Sequence, residues 1–184
     1  MPFSDAQGKD AILSWVKDIN PRTILDIGPG AGAYFDLLKD HTPRAYQFNA
    51  LEIWAPYIKK YALDKKYEHV YISDIREAPL DNVSCYDLVI LGDIIEHMKR
   101  EEAKEVILRL ASNEAWNYNL IISFPVLHLE QGAYEGNPYE THVDHWSYDE
   151  MMEFCKENNL DVVASGHGDV LAWFWIQLDS SPGL

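Results

Sequence analysis

LDIGPGAG, residues 25–32, places an aspartate and three alternating glycines directly behind an apolar run. Gly28, Gly30 and Gly32 free the backbone to turn sharply out of a strand and let a ligand approach bare peptide. A helix opening behind such a turn offers unpaired N–H groups to a carboxylate or phosphate. Gly28-x-Gly30-x-x-Ala33 also satisfies the dinucleotide fingerprint G-x-G-x-x-[GA], which alone does not choose among nucleoside cofactors. A Walker-type phosphate loop is excluded, because no Gly-Lys-Ser/Thr follows.

Outward from this turn, strand and helix patterns alternate along the chain. Residues 4–18 carry Ile12, Trp15, Val16 and Ile19 at helical spacing behind a capping box of Ser4 and Gln7, and Pro21 stops the helix. TILDIG (23–28) has the nearly continuous apolar character of a strand buried on both faces. Helix is expected over 31–40, strand over 45–53 to about Glu52, helix over 54–64, and strands over 69–73 and 86–92. An amphipathic helix over 99–112 presents Ala103, Val106, Ile107 and Leu110, and a fifth strand follows at 119–125. Some twenty residues rich in Gly, Pro, His and aromatics (126–146) lack either periodicity, and a loop that long is usually functional. Ser147 and Glu150 cap a helix to about 158. Two final strands meet at Gly166-His167-Gly168-Asp169 as an antiparallel hairpin. The expected fold is α/β: one domain over 1–184 with a doubly wound, mostly parallel seven-stranded sheet and a C-terminal antiparallel hairpin.

Composition narrows the partners. Thirty acidic against fifteen basic residues give a net charge of −15 in 184 residues, which disfavours an extended nucleic-acid surface. Lys59, Lys60, Lys65 and Lys66 read as a solvated helix end. No apolar stretch approaches the ~20 residues of a membrane span, and no secretory signal opens the chain. Cys85 and Cys155 lack metal spacing and read as reduced core thiols of a cytoplasmic protein.

In a doubly wound sheet the carboxyl ends of the strands gather the ligand site. That edge would hold Asp26–Gly32, Glu52, Asp74, Gly92–His97 and the 126–146 loop. Glu52 closes the second strand, where a carboxylate accepts both ribose hydroxyls. Asp74 follows the third strand, with Ile75 beside it to pack on a base. With these features in order, the chain resembles the class I S-adenosylmethionine-dependent methyltransferases over nearly its whole length, hairpin included. The resemblance implies a Rossmann-like methyltransferase fold and S-adenosylmethionine as cofactor. Asp26, Gly28, Gly30 and Gly32 would border its methionine end, Glu52 its ribose, and Ile53, Asp74, Ile75 and Gly92 the remaining contacts.

The segment GDIIEHM (92–98) differs from the Asn/Asp-Pro-Pro-Tyr/Phe of enzymes that methylate amide or base nitrogens. It resembles the Leu-Glu-His signature of O-methyltransferases acting on small molecules. It is also similar to the metal site of small-RNA terminal 2′-O-methyltransferases, with Asp93 in place of the first Glu of Glu-x-x-Glu-His. HVDHWSYDEM (142–151) resembles the later part of that site. Asp93, Glu96 and His97 would share one face of a helical turn. With His145 or His142 they would hold Mg²⁺, Mn²⁺, Zn²⁺ or Fe²⁺. Without metal, His97 or His145 is the expected general base. Tyr134, Tyr139, Trp146 and Trp173-Phe174-Trp175 are offered as aromatic walls for an acceptor. The reading is an O-methyltransferase of a small polar acceptor. RNA 2′-O-methylation, a catalytically silent cofactor-binding module and a nicotinamide oxidoreductase are the alternatives.

Overall fold

The computed structural model describes residues 5–43, 45, 47–79, 86–111, 118–128 and 130–178. Its centre is a seven-stranded sheet of β1 (Thr23–Ile27), β2 (Gln47–Glu52), β3 (Val70–Ile72), β4 (Leu88–Gly92), β5 (Tyr118–Pro125), β6 (Asp161–His167) and β7 (Leu171–Leu178). The strand order is β3-β2-β1-β4-β5-β7-β6. β1 to β5 pair in parallel, whereas β7 lies antiparallel between β5 and β6, as the hairpin predicts.

Side-chain alternation explains why these apolar runs are central strands. Leu25 and Ile27 of β1 join Val89, Leu91, Leu120 and Ile122 on one face. They are covered there by α5 (Arg100–Ala111) and α6 (Tyr148–Glu157), which supply Ala103, Val106, Ile107, Leu110, Met151 and Phe154. Ile24, Leu88, Ile90 and Ile121 point the other way, onto α1 (Lys9–Ile19) and α2 (Ala33–Leu38). Every residue of β1 is buried, so the strand before the glycine turn is fixed on both faces.

Three local expectations change. The first helix starts only at Lys9, with Gly8 (φ 75°) before it, where a Cβ would fall 2.4 Å from the Trp173 ring. Gln7 makes no capping box: its Oε1 accepts from the N–H groups of Val170 and Leu171 at 3.0 and 3.2 Å, while Ser4 lies outside the described residues. The helix expected over 54–64 is two short pieces, α3 (Pro56–Lys60) and α4 (Leu63–Lys66), broken where Ala62 turns left-handed at φ 52°. By contrast, the Ser147–Glu150 capping box forms in both directions.

Lys66 is tied to Asp36 and to the Ala31 carbonyl, and Lys60 pairs with Glu135, so these two do not form a free basic patch. Cys155 is a buried free thiol whose pKa burial pushes up to about 12, and Cys85 lies outside the described residues. Among the described residues no helix is long and apolar enough to cross a membrane.

Candidate active site

The glycine turn leaves β1 with Gly28, Gly30 and Gly32 all left-handed, at φ 67°, 54° and 85°. At Gly28 the requirement is also one of space, since a Cβ would sit 2.0 Å from Ile94 Cδ1. Gly28 and Gly30, with Pro29, Ala33 and Tyr34, wall a cavity of about 80 Å³ that also receives Glu52, Ile53, Tyr57, Gly92, Asp93, Ile94, His97, Asn137, Tyr139 and Glu140. Gly32 is not on that wall; it precedes α2, and its N–H bonds to the Pro29 carbonyl. Asp26 is also set back: it is 1% exposed and accepts from Tyr67 Oη at 2.6 Å. Burial raises its pKa to about 6, against the Tyr67 hydrogen bond and the Lys9 charge.

Glu52 accepts from the Trp54 N–H at 2.7 Å, and the Gly30 N–H also faces it. Burial dominates nonetheless and raises its pKa to about 7, with Glu140 and Asp26 adding to the shift. An adjoining cavity of about 80 Å³ shares Gly28, Ile53, Ile94, His97 and Tyr139 with the first and reaches Asp74, Ile75 and Arg76. Burial works against the Asp74 charge, but Arg76 wraps its carboxylate at 2.6–3.0 Å and holds the pKa below the usual range.

The cover comes from the long loop. Its 3-10 turn Pro138–Glu140 brings Tyr139, 42% exposed, over both cavities and within 6.1 Å of the Trp54 ring. Glu140 beneath accepts from Tyr57 Oη at 2.9 Å. Tyr34, Tyr57, Arg76, Asn137 and Glu140 line the cavities too, without a motif that marks them in the sequence. The aromatic just behind the glycine turn was a usable sign for Tyr34, whereas nothing in sequence marks a loop glutamate as buried. Trp146 and Phe174 belong to the core, and Trp173 packs on Gly8.

After β4, Gly92 admits no side chain, because a Cβ would meet Tyr34 Cε2 at 2.0 Å. Asp93 is left-handed at φ 56°, and the following 3-10 turn spans only Ile95–His97. The expected helical face through residues 93, 96 and 97 therefore does not form. Asp93 instead accepts from Ser123 Oγ at 2.9 Å, and Ser123 is joined to Tyr34 Oη at 2.8 Å. Glu96 is 3% exposed, and its Oε2 has no hydrogen-bond partner among the described residues. Burial, then Asp93, raises its pKa well above the usual range. Burial lowers the pKa of His97, whose Nδ1 lies 3.1 Å from the Thr141 carbonyl and whose Nε2 lies 3.9 Å from Glu96 Oε1. Only an N–H can face a carbonyl, so Nδ1 carries the proton and Nε2 keeps its lone pair.

His142 stands edge-on to His97 at 5.0 Å, and a ligand atom from each of Glu96, His97 and His142 falls within 4.8 Å of the others. The expected metal set of Asp93, Glu96, His97 and His145 is thus not brought together as a group. Asp93 is committed to Ser123. His145 faces His128 instead, 5.3 Å away, in a separate cleft of about 650 Å³ that also includes Glu130, Gln131, His142 and Asp144. Arg100 anchors that side through Asp144 at 3.0 Å and through the His145 carbonyl.

The description of one family, a methyltransferase domain, matches residues 25–116. No curated protein matches the chain in sequence. Among solved structures it is similar to an O-methyltransferase family protein from Burkholderia thailandensis (TM-score 0.66, 14% identity), over 95% of this chain and 57% of that one. It is also similar to the magnesium protoporphyrin IX methyltransferase of Synechocystis PCC 6803 with bound S-adenosylmethionine (0.64, 16%), over 94% and 79% of the two chains. A third is a methyltransferase dependent on the same cofactor from Aquifex aeolicus (0.62, 18%), covering 96% and 95%. At these identities the likeness is one of fold.

Proposed function

The chain belongs to the methyltransferase domain family, and we propose that this S-adenosylmethionine-dependent methyltransferase methylates a hydroxyl oxygen of a small polar acceptor. The observation that carries the reading is the meeting at His97 of two cavities, one holding Gly28, Gly30 and Glu52 and the other Asp74 and Ile75. In this reading the first cavity takes two parts of the cofactor, the methionine end at the glycine turn and the ribose hydroxyls at Glu52, and the second takes the adenine at Asp74 and Ile75. The whole of 1–184 acts in this reading as one domain in the cytoplasm.

Bound S-adenosylmethionine supplies a methyl on a sulfonium; the acceptor oxygen forms a C–O bond as the C–S bond breaks, leaving a neutral thioether. The protein's part is to align the oxygen and relieve it of its proton. His97 Nε2 is placed to do so, either by taking the proton or by carrying a divalent ion that makes the hydroxyl more acidic. His145 contacts the acceptor from the larger cleft. Among that cleft's described lining residues there is no lysine or arginine, which favours a neutral or cationic acceptor over RNA.

Calorimetric titration with S-adenosylmethionine tests the reading, followed by tritiated methyl transfer to hydroxyl and amine acceptors. Binding with transfer to hydroxyls is expected. Absence of binding would refute the cofactor assignment, and transfer to amines alone would refute the oxygen acceptor.

A further inference from the structure

Glu96, His97 and His142 stand between the cofactor cavities and the separate large cleft: His97 lines the former and His142 the latter. Their donors converge within 4.8 Å. A polar oxygen buried without a partner is costly, and Glu96 Oε2 is such an atom among the described residues. A bound cation would satisfy it.

The surroundings fit ligation more closely than a chance cluster would. The His97 Nδ1 contact with the Thr141 carbonyl is the outer bond that metal-bound histidines usually make, and it leaves Nε2 facing Glu96. The Glu96 carbonyl accepts from the N–H groups of Val143 and Asp144 at 2.8 and 3.2 Å, and the His142 N–H bonds to the Gln131 carbonyl at 2.9 Å. These backbone bonds fasten the loop carrying His142 to the turn carrying Glu96 and His97. The three donors are thus held before any ion arrives, which lowers the ordering cost of binding.

We propose that Glu96, His97 and His142 form a binding site for a transition-metal dication, with its remaining coordination positions open to the acceptor oxygen. Two imidazoles and one carboxylate suit Mn²⁺, Fe²⁺, Co²⁺ or Zn²⁺, whereas Mg²⁺ and Ca²⁺ favour oxygen-only ligand sets. Neither Asp93 nor His145 is a ligand. An ion held there would polarise the acceptor hydroxyl from beside the line of methyl transfer, making its oxygen the better nucleophile. In that arrangement His97 is a ligand and not a free base. The role in transfer rests on the methyltransferase reading; the ion site itself does not.

The test is titration of EDTA-treated full-length protein with Co²⁺, followed by visible absorption and calorimetry, with a parallel S-adenosylmethionine titration. One ion per chain is expected. His142→Gln and Glu96→Gln should weaken binding by more than the ~10–100-fold cost of removing an outer partner, and His145→Gln should leave it unchanged. No stoichiometric Co²⁺ binding, or wild-type binding by a His142→Gln variant with an unaltered melting temperature, overturns the site. If the variants fail to fold, pulsed electron paramagnetic resonance of wild-type protein with Mn²⁺ decides: two imidazole nitrogens are expected, and none would refute the proposal. Co²⁺ binding without S-adenosylmethionine binding would sink the methyltransferase reading and leave the ion site standing; the reverse pattern would do the opposite.

Discussion

The two sides of the carboxyl edge are built by different means. On the nucleoside side, Gly28, Glu52 and Asp74 sit at or just beyond the ends of three neighbouring parallel strands, so strand order alone places them together. On the proposed acceptor side, His142 and His145 reach the edge from a loop held to the rest of the chain by bonds to Glu96 and Arg100. The first side is a property of the sheet. The second depends on a few polar contacts, and local opening is easiest where such contacts are few.

That contrast can be broken most forcefully at its junction. His97→Ala should lower turnover by ~10²–10⁴ while S-adenosylmethionine affinity stays near wild type. Steady-state rates beside calorimetry would show it, and wild-type turnover would remove His97 from the chemistry. Next is the nucleoside side: Glu52→Ala should cost about 3 kcal/mol of cofactor affinity, roughly 100-fold, by deleting charge-assisted bonds. Undiminished binding would mean that the ribose lies elsewhere.

A smaller effect concerns protons. Glu52 has a raised pKa of about 7 and accepts ribose hydroxyls best when ionised, so affinity should fall roughly tenfold on going from about pH 8 to about pH 6. Glu52→Gln should flatten that profile; a wild-type slope in the variant would contradict the assignment. For the ligand-free protein the sign is reversed. A carboxyl with a raised folded pKa contributes its stability at low pH and loses it as pH rises through about 7, which thermal melts across that range would reveal. The smallest effect belongs to the outer cleft. His145→Ala should raise the acceptor KM by roughly fivefold, about 1 kcal/mol for one hydrogen bond, with kcat hardly changed. A collapse in kcat would instead move His145 into the reaction centre.

The same contrast governs what could be read in the sequence. Buried parallel strands appear as apolar runs, and a sharp exit from one needs glycines; TILDIG and GPGAG therefore disclosed both the fold and the turn. The Ser147–Glu150 cap was equally legible, being a local bond over three residues. Asp93 misled because i, i+3, i+4 spacing implies a shared face only inside a helix, and the left-handed residue 93 stands before a single 3-10 turn. His142 and His145 were interchangeable as letters. What separates them is tertiary: the His142 N–H meets the Gln131 carbonyl and its ring stands beside His97, whereas the His145 ring faces His128.

Strand order also bears on synthesis. β1 to β4 are neighbours in the sheet and complete by residue 92, so every strand supporting the nucleoside side leaves the ribosome early. β7 emerges last among the described strands, yet it lies between β5 and β6, and Gln7 accepts from the N–H groups of its first residue, Leu171, and of Val170 just before it. The acceptor loop between β5 and α6 thus gains its final support only when that insertion closes. A nascent chain stalled before Leu171 would hold the nucleoside strands in sequence while lacking the partner that completes the wall on the acceptor's side.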